Sequence, residues 1–104
     1  MPNCGIYMIV NKVNKKFYLG SSNNLRRRRK RHFEDLKNNK HHSPHLQRAF
    51  NCYGESNFEF VVIEYVNDES QLLKLEQFYL DLLMPYKEEI GYNCSATASG
   101  IGIK

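Results

Sequence analysis

Residues 5–20 read GIYMIVNKVNKKFYLG, and this stretch decides the fold. Apolar residues at 5–10 and 17–20 predict two short strands, with the polar segment 11–16 as the turn that joins them. Each run carries a tyrosine beside a glycine, which a strand interior does not require. Gly5 and Gly20 stand at the outer ends, where a missing side chain lets the backbone turn or another group approach closely. Tyr7 and Tyr18 suit a strand, but each brings a hydroxyl that needs a partner once buried. The two phenols are therefore either packing or the beginning of a site.

Ser21, Ser22 and Asn23 offer N-caps for a helix running to about residue 37 or 38, closed by Asn38-Asn39. Ser43-Pro44 is a cap followed by proline at the first helical position, opening a second helix. Its apolar face is Leu46, Phe50 and Tyr53, and Gly54 ends it. FEFVVIEYV (58–66) is apolar on both faces, which predicts a strand internal to its sheet. Asn67 or Asp68 caps a third helix through about Leu83, before Pro85. The order ββααβα predicts a small α/β domain, a three-stranded and at least partly antiparallel sheet flanked by helices. It occupies residues 1–94. The segment SATASGIGIK (95–104) is small, glycine-rich and without periodicity, and reads as a tail or the start of a linker.

A chain of 104 residues supports one domain with a real core. No run approaches the length of a membrane span, and the N-terminus lacks the charged and apolar regions of a signal peptide. Cys4, Cys52 and Cys94 are odd in number and widely spaced, as expected of free thiols in an intracellular protein. The net charge of +4 hides its distribution. Residues 1–54 hold 12 Lys/Arg against 2 Asp/Glu, and residues 55–104 hold 3 against 9. One basic half is the electrostatic footprint of a nucleic-acid binder. Nucleic acid, rather than a membrane or an organic cofactor, is the expected partner.

Projected at ~100° per residue, the first helix places Leu25, Arg29, His32, Phe33 and Leu36 on one stripe. Arg26, Arg27, Lys30 and Arg31 point away, as a phosphate-contacting face or as solubilising charge. Arg28 borders the stripe four residues before His32, so the two can reach one cleft; equally, Arg28 can snorkel and His32 pack in the core. On the third helix Glu76 falls among Leu72, Tyr79, Leu80 and Leu83. A carboxylate there costs on the order of several kcal/mol unless it is paired or metal-bound. Either it forms a salt bridge with Arg28, or it is a ligand for a hard cation, Mg²⁺ or alternatively Mn²⁺. In HHSPH (41–45) Ser43-Pro44 breaks the register that a single-helix zinc site would need. One of these histidines, with His41 the choice, is expected at a loop rim near phosphate.

GIY at 5–7 and YLG at 18–20, followed by Arg28, His32, Glu76 and Asn93 in GYN, resemble the signature of the GIY-YIG endonucleases. The likeness extends from Cys4 to about Ala98, and residues 30–60 look most like the homing-endonuclease branch. Leu19 replaces the more usual Ile or Val, a volume-conserving change, and Arg29 stands where an apolar or aromatic residue is expected. Homing enzymes of this family usually carry a DNA-binding region after a linker, and this chain ends where that linker would begin. It is thus either a catalytic domain or a minimal nuclease.

The resemblance implies metal-dependent hydrolysis of DNA phosphodiesters, by a monomer or a transient dimer on DNA. Tyr7 would activate the attacking water, with hydrogen bonds from Tyr18 or His32 completing a proton relay. Glu76 would hold one Mg²⁺ or Mn²⁺, Arg28 would clamp a non-bridging oxygen, and Asn93 would position phosphate or water. Arg26, Arg27, Lys30, Arg31 and His41 would contact the backbone. The alternatives are a non-catalytic basic nucleic-acid-binding module, and a restriction or repair nuclease of the same family.

Overall fold

The computed structural model of the chain describes residues 3–98, so residues 99–104 of the expected tail lie outside the described residues. β1 (Gly5–Asn11) and β2 (Phe17–Ser22) form the hairpin, followed by α1 (Leu25–Lys37) and α2 (Pro44–Tyr53). β3 (Phe58–Tyr65) returns to the sheet, and α3 (Leu72–Leu83) completes the ββααβα order. The strand order is β2-β1-β3, with both pairings antiparallel.

β1 is the central strand, and the alternation of its side chains serves two cores. Tyr7 and Ile9 face α1 and α2, packing with Leu36, Leu46 and Phe50. Ile6 and Met8 face α3, together with Leu19, Leu72 and Leu80. The same arrangement corrects the reading of β3, which is an edge strand and not internal. Its apolar residues on both faces reflect helices on both sides of the sheet: Phe60 and Val62 pack toward α1 and α2, Ile63 toward α3.

Local signals act largely as read, with shifts that have physical causes. Because β2 continues to Ser22, the N-cap of α1 falls one residue past the three expected caps. Asn24 caps it, accepting from the Arg27 amide at 3.1 Å. Ser43 caps α2 with Pro44 in its first turn, and Gly54 ends it at φ 91°. Tyr53, placed on the inward face by periodicity, is 38% exposed at the last residue of α2. The buried stripe there turns instead toward Ala49 and Gln47. Arg29 leaves the apolar stripe of α1 altogether and is exposed.

The outer edge of β2 is partly covered. The Tyr92 amide donates to Phe17 O at 2.9 Å. The Asn93 side chain accepts from the Leu19 amide at 2.8 Å and donates to Leu19 O at 2.9 Å. Past Leu19 this edge opens into a pocket that Gly20 and Ser21 help to line. The first residues of the expected tail lie on α3, where Gln77 donates to Ala96 O and accepts from the Ala98 amide. Among the described residues no helix is long and apolar enough to cross a membrane.

Candidate active site

The sheet register answers why each tyrosine has a glycine near it. Tyr7 on β1 pairs with Gly20 on β2, and the Tyr7 ring lies across the glycine. A Cβ at position 20 would stand 2.6 Å from Tyr7 Cζ, closer than any packed pair of carbons. Gly5 serves a different purpose, at the register shift between Ile6 and Tyr7, where a Cβ would press on Tyr65 Cα at 3.1 Å and on the Glu64 carbonyl. Gly20→Ala is therefore expected to displace the Tyr7 ring and lower unfolding stability by about 1–3 kcal/mol, read by denaturant titration.

Tyr7 is 1% exposed, and its hydroxyl meets His32 Nε2 at 2.5 Å. His32 Nδ1 is in turn 2.7 Å from His41 Nε2, and the Ser43 amide reaches His41 Nδ1 at 3.0 Å. A backbone N–H can only donate, so Nδ1 of a neutral His41 accepts and its Nε2 carries the proton. His41 then donates to His32 Nδ1, and His32 Nε2–H donates to the Tyr7 oxygen. Both imidazoles are held neutral. His41 is pushed down to about 4 by burial and by the charge of His42. His32 falls well below the ordinary histidine range through burial and through repulsion from His41, His42 and Arg28. The chain thus ends in a donor aimed at the Tyr7 oxygen, which leaves the phenolic proton to point elsewhere.

Tyr18 shares the Tyr7 face of the sheet, as expected, but its hydroxyl does not complete the Tyr7 relay. It pairs with His42 Nε2 at 2.8 Å. His41, expected at the loop rim, is 8% exposed and belongs to the buried chain. The rim histidine is His42, exposed and stacked on His41 with ring centroids 4.4 Å apart. The two are adjacent in sequence, and periodicity carries no information in a loop; only the backbone of 39–43 decides which imidazole turns inward.

Tyr7, Tyr18, Arg28, Glu76 and Asn93 all line one cavity of about 160 Å³ at the β2 edge. Arg28 arrives from α1 and Glu76 from α3, on opposite faces of the sheet. Glu76 is 9% exposed and its carboxylate accepts from the Ser21 hydroxyl. Burial raises its pKa above the ordinary carboxylate value, opposed by the Ser21 bond and by the charge of Arg28. The salt bridge considered for these two residues is absent: the ion pairs among the described residues are Arg31–Asp35 and Lys37–Glu55. Burial pushes the phenols of Tyr7 and Tyr18 up; Tyr18 adds to the rise at Tyr7 and Glu76 adds at both, while Arg28 opposes it.

Asn93 lines the cavity, yet both polar atoms of its amide are engaged with Leu19 of β2. It pins the 91–95 segment in place while one face of its side chain lines the cavity. Arg27, Lys30 and Arg31 border a groove of about 670 Å³ along α1, which Arg28 and His42 share with the cavity. Arg26 is exposed but does not line that groove. No group of three or more His, Cys, Asp or Glu among the described residues is disposed to hold a metal. A cation at Glu76 would rest on one carboxylate, completed by water and substrate oxygens, a donor set that suits Mg²⁺.

The GIY-YIG catalytic domain model matches residues 3–90. This chain belongs to the GIY-YIG family. It is 38% identical over 97 residues to intron-associated endonuclease 1 of enterobacteria phage T4, covering 92% of this chain and 38% of the relative. It is 34% identical over 105 residues to probable intron-encoded endonuclease 1 of Neurospora crassa, covering 96% of this chain and 33% of the relative. The chain thus spans 33–38% of the length of these relatives. Among solved structures, a mutant form of the catalytic domain of intron endonuclease I-TevI superposes with a TM-score of 0.81 at 35% identity, covering 93% of this chain and 98% of that one.

Proposed function

We propose that this chain is the catalytic domain of a divalent-metal-dependent DNA endonuclease of the homing type. The observation that carries the reading is the convergence of two tyrosines, Arg28 and Glu76 on one cavity, from the hairpin and from helices on both faces of the sheet. A buried carboxylate whose only hydrogen-bond partner among the described residues is a serine hydroxyl is poor packing, and is understandable as a cation ligand. Bound at Glu76, Mg²⁺ or Mn²⁺ would supply charge stabilisation to the phosphorane and the departing oxygen.

The chain's own groups account for the rest. Arg28 offers a planar fork to a non-bridging oxygen of the scissile phosphate. Tyr7, as phenolate, takes a proton from the attacking water, with His32 Nε2–H donating to the phenolate oxygen and stabilising that form. Arg27, Lys30 and Arg31 grip the backbone along the groove. Such contacts position DNA without reading its sequence, so affinity should be weakly sequence-dependent and fall steeply with salt. One site of this kind cuts one strand at a time.

The test is nicking of supercoiled plasmid at low salt, with enzyme in excess, in Mg²⁺, Mn²⁺ or EDTA. The expected result is metal-dependent nicking by the wild type, lost in Glu76→Ala. Absence of nicking in every metal, with DNA binding equal in wild type and Glu76→Ala, would favour a non-catalytic nucleic-acid module.

A further inference from the structure

Glu76 presents its two carboxylate oxygens to different surroundings. Oε1 accepts from the Ser21 hydroxyl, the only hydrogen-bond partner of this side chain among the described residues. No sealed side-chain polar atom among those residues lacks a partner. Oε2 is therefore not sealed, and it opens onto the cavity that Ser21 and Glu76 both line.

Ser21 is a polar residue in an apolar place. It follows Leu19 by two positions, so strand alternation turns it toward α3, beside the cluster of Ile6, Leu19, Leu72 and Leu80. It is 2% exposed, and its pairing with Ile6 ties it to the central strand. The serine side chain is short and its strand is fixed, whereas the Glu76 carboxylate ends a longer and freer chain. Ser21 is thus the fixed member of the pair, and it decides how the carboxylate is turned.

That orientation bears on which cation fits. A carboxylate with one oxygen engaged offers the other alone. Mg²⁺ takes few carboxylate oxygens, within a rigid octahedron that leaves room for water and substrate oxygens. Ca²⁺ is larger, accepts more oxygens and often takes both from one carboxylate.

We propose that Ser21 is a positioning residue that holds Glu76 to one-oxygen ligation and so sets the site for Mg²⁺ against Ca²⁺. Without the hydroxyl, Oε1 is free to swing onto the cation, and the two oxygens together then suit Ca²⁺.

This inference rests on Glu76 as the cation ligand of the proposed function, and a binding experiment separates the two. Mn²⁺ broadens the amide resonances of residues near it, so its binding in the cavity is read at Gly20, Ser21 and Glu76. Mg²⁺ or Ca²⁺ is then titrated in to displace it. In Ser21→Ala the ratio of the two half-displacing concentrations is expected to move about tenfold in favour of Ca²⁺, the low end for losing a hydrogen bond behind a metal ligand. A ratio cancels changes in Mn²⁺ affinity and in carboxyl protonation, which weigh equally on both cations. Ser21→Cys, similar in size but a weak donor, should behave like Ser21→Ala, and Ser21→Thr, which keeps the hydroxyl, should hold the wild-type ratio. A ratio within about twofold of wild type in both Ser21→Ala and Ser21→Cys would overturn the proposal, whatever the loss common to both cations. So would a Ser21→Thr ratio equal to that of Ser21→Ala, which would assign the effect to packing. Broadening that is absent from the wild type, or unchanged in Glu76→Ala, refutes the cation reading of Glu76 itself.

Discussion

Arg28→Ala is expected to slow plasmid nicking by roughly 10³-fold, the scale of removing a preorganised charge from a phosphoryl-transfer site. Two effects combine. The phosphorane loses the cation that meets its developing charge. In addition, Tyr7, Tyr18 and Glu76 lose the positive neighbour that opposes their rise in pKa, so both the phenolate and the carboxylate become scarcer. Arg28→Lys should fall between the two, keeping the charge but not the planar fork. Stability should change little, because Arg28 makes no ion pair among the described residues and is half-exposed. A rate within about threefold of wild type, under single-turnover conditions, would remove Arg28 from the chemistry.

Tyr7→Phe should lower the rate by roughly 10²- to 10⁴-fold, the range for loss of a general base, and should also change its pH dependence. Tyr7 titrates well above the ordinary phenol range, lifted by burial, then by Tyr18 and Glu76, against the pull of Arg28. Below that pKa the phenolate fraction grows about tenfold per pH unit. The wild-type rate is therefore expected to climb from about pH 7 to about pH 9 without a plateau, and the Tyr7→Phe residual rate should lose that slope. The ring itself still fits, since its stacking on Phe60 at 4.7 Å does not involve the hydroxyl. His32 Nε2 loses its acceptor, which should cost about 1–3 kcal/mol of stability. An unchanged slope in Tyr7→Phe would assign the base to another group.

Much of this arrangement was legible in the residues. The hairpin, the order of elements, the Ser43-Pro44 start of α2, and Glu76 stranded in an apolar stripe are local patterns, and local patterns survive folding. What escaped was set by tertiary contact. Whether β3 is central or at the edge cannot be told from its own composition, because helices on both faces make either position equally apolar. Asn24 took the cap from Ser22 only because strand pairing ran past the end of the apolar run. Asn93 lines the cavity as a site residue should, but its second role as a clamp could be recognised only once β2 lay beside it. The exchange of roles between His41 and His42 depends on one loop, and no residue in that loop announces which way it turns.

Arg28 and Glu76 hang from separate hydrophobic cores, one on each side of the sheet. The sheet therefore acts as a gauge block between them, and the span available to a bound phosphate is set by strand and helix packing on both sides. A fault in either core then reaches the chemistry as a change of spacing, well before the chain unfolds. Substitutions far from the cavity, at Leu36 or Leu72 for instance, belong to the same mechanical linkage as the residues that line it.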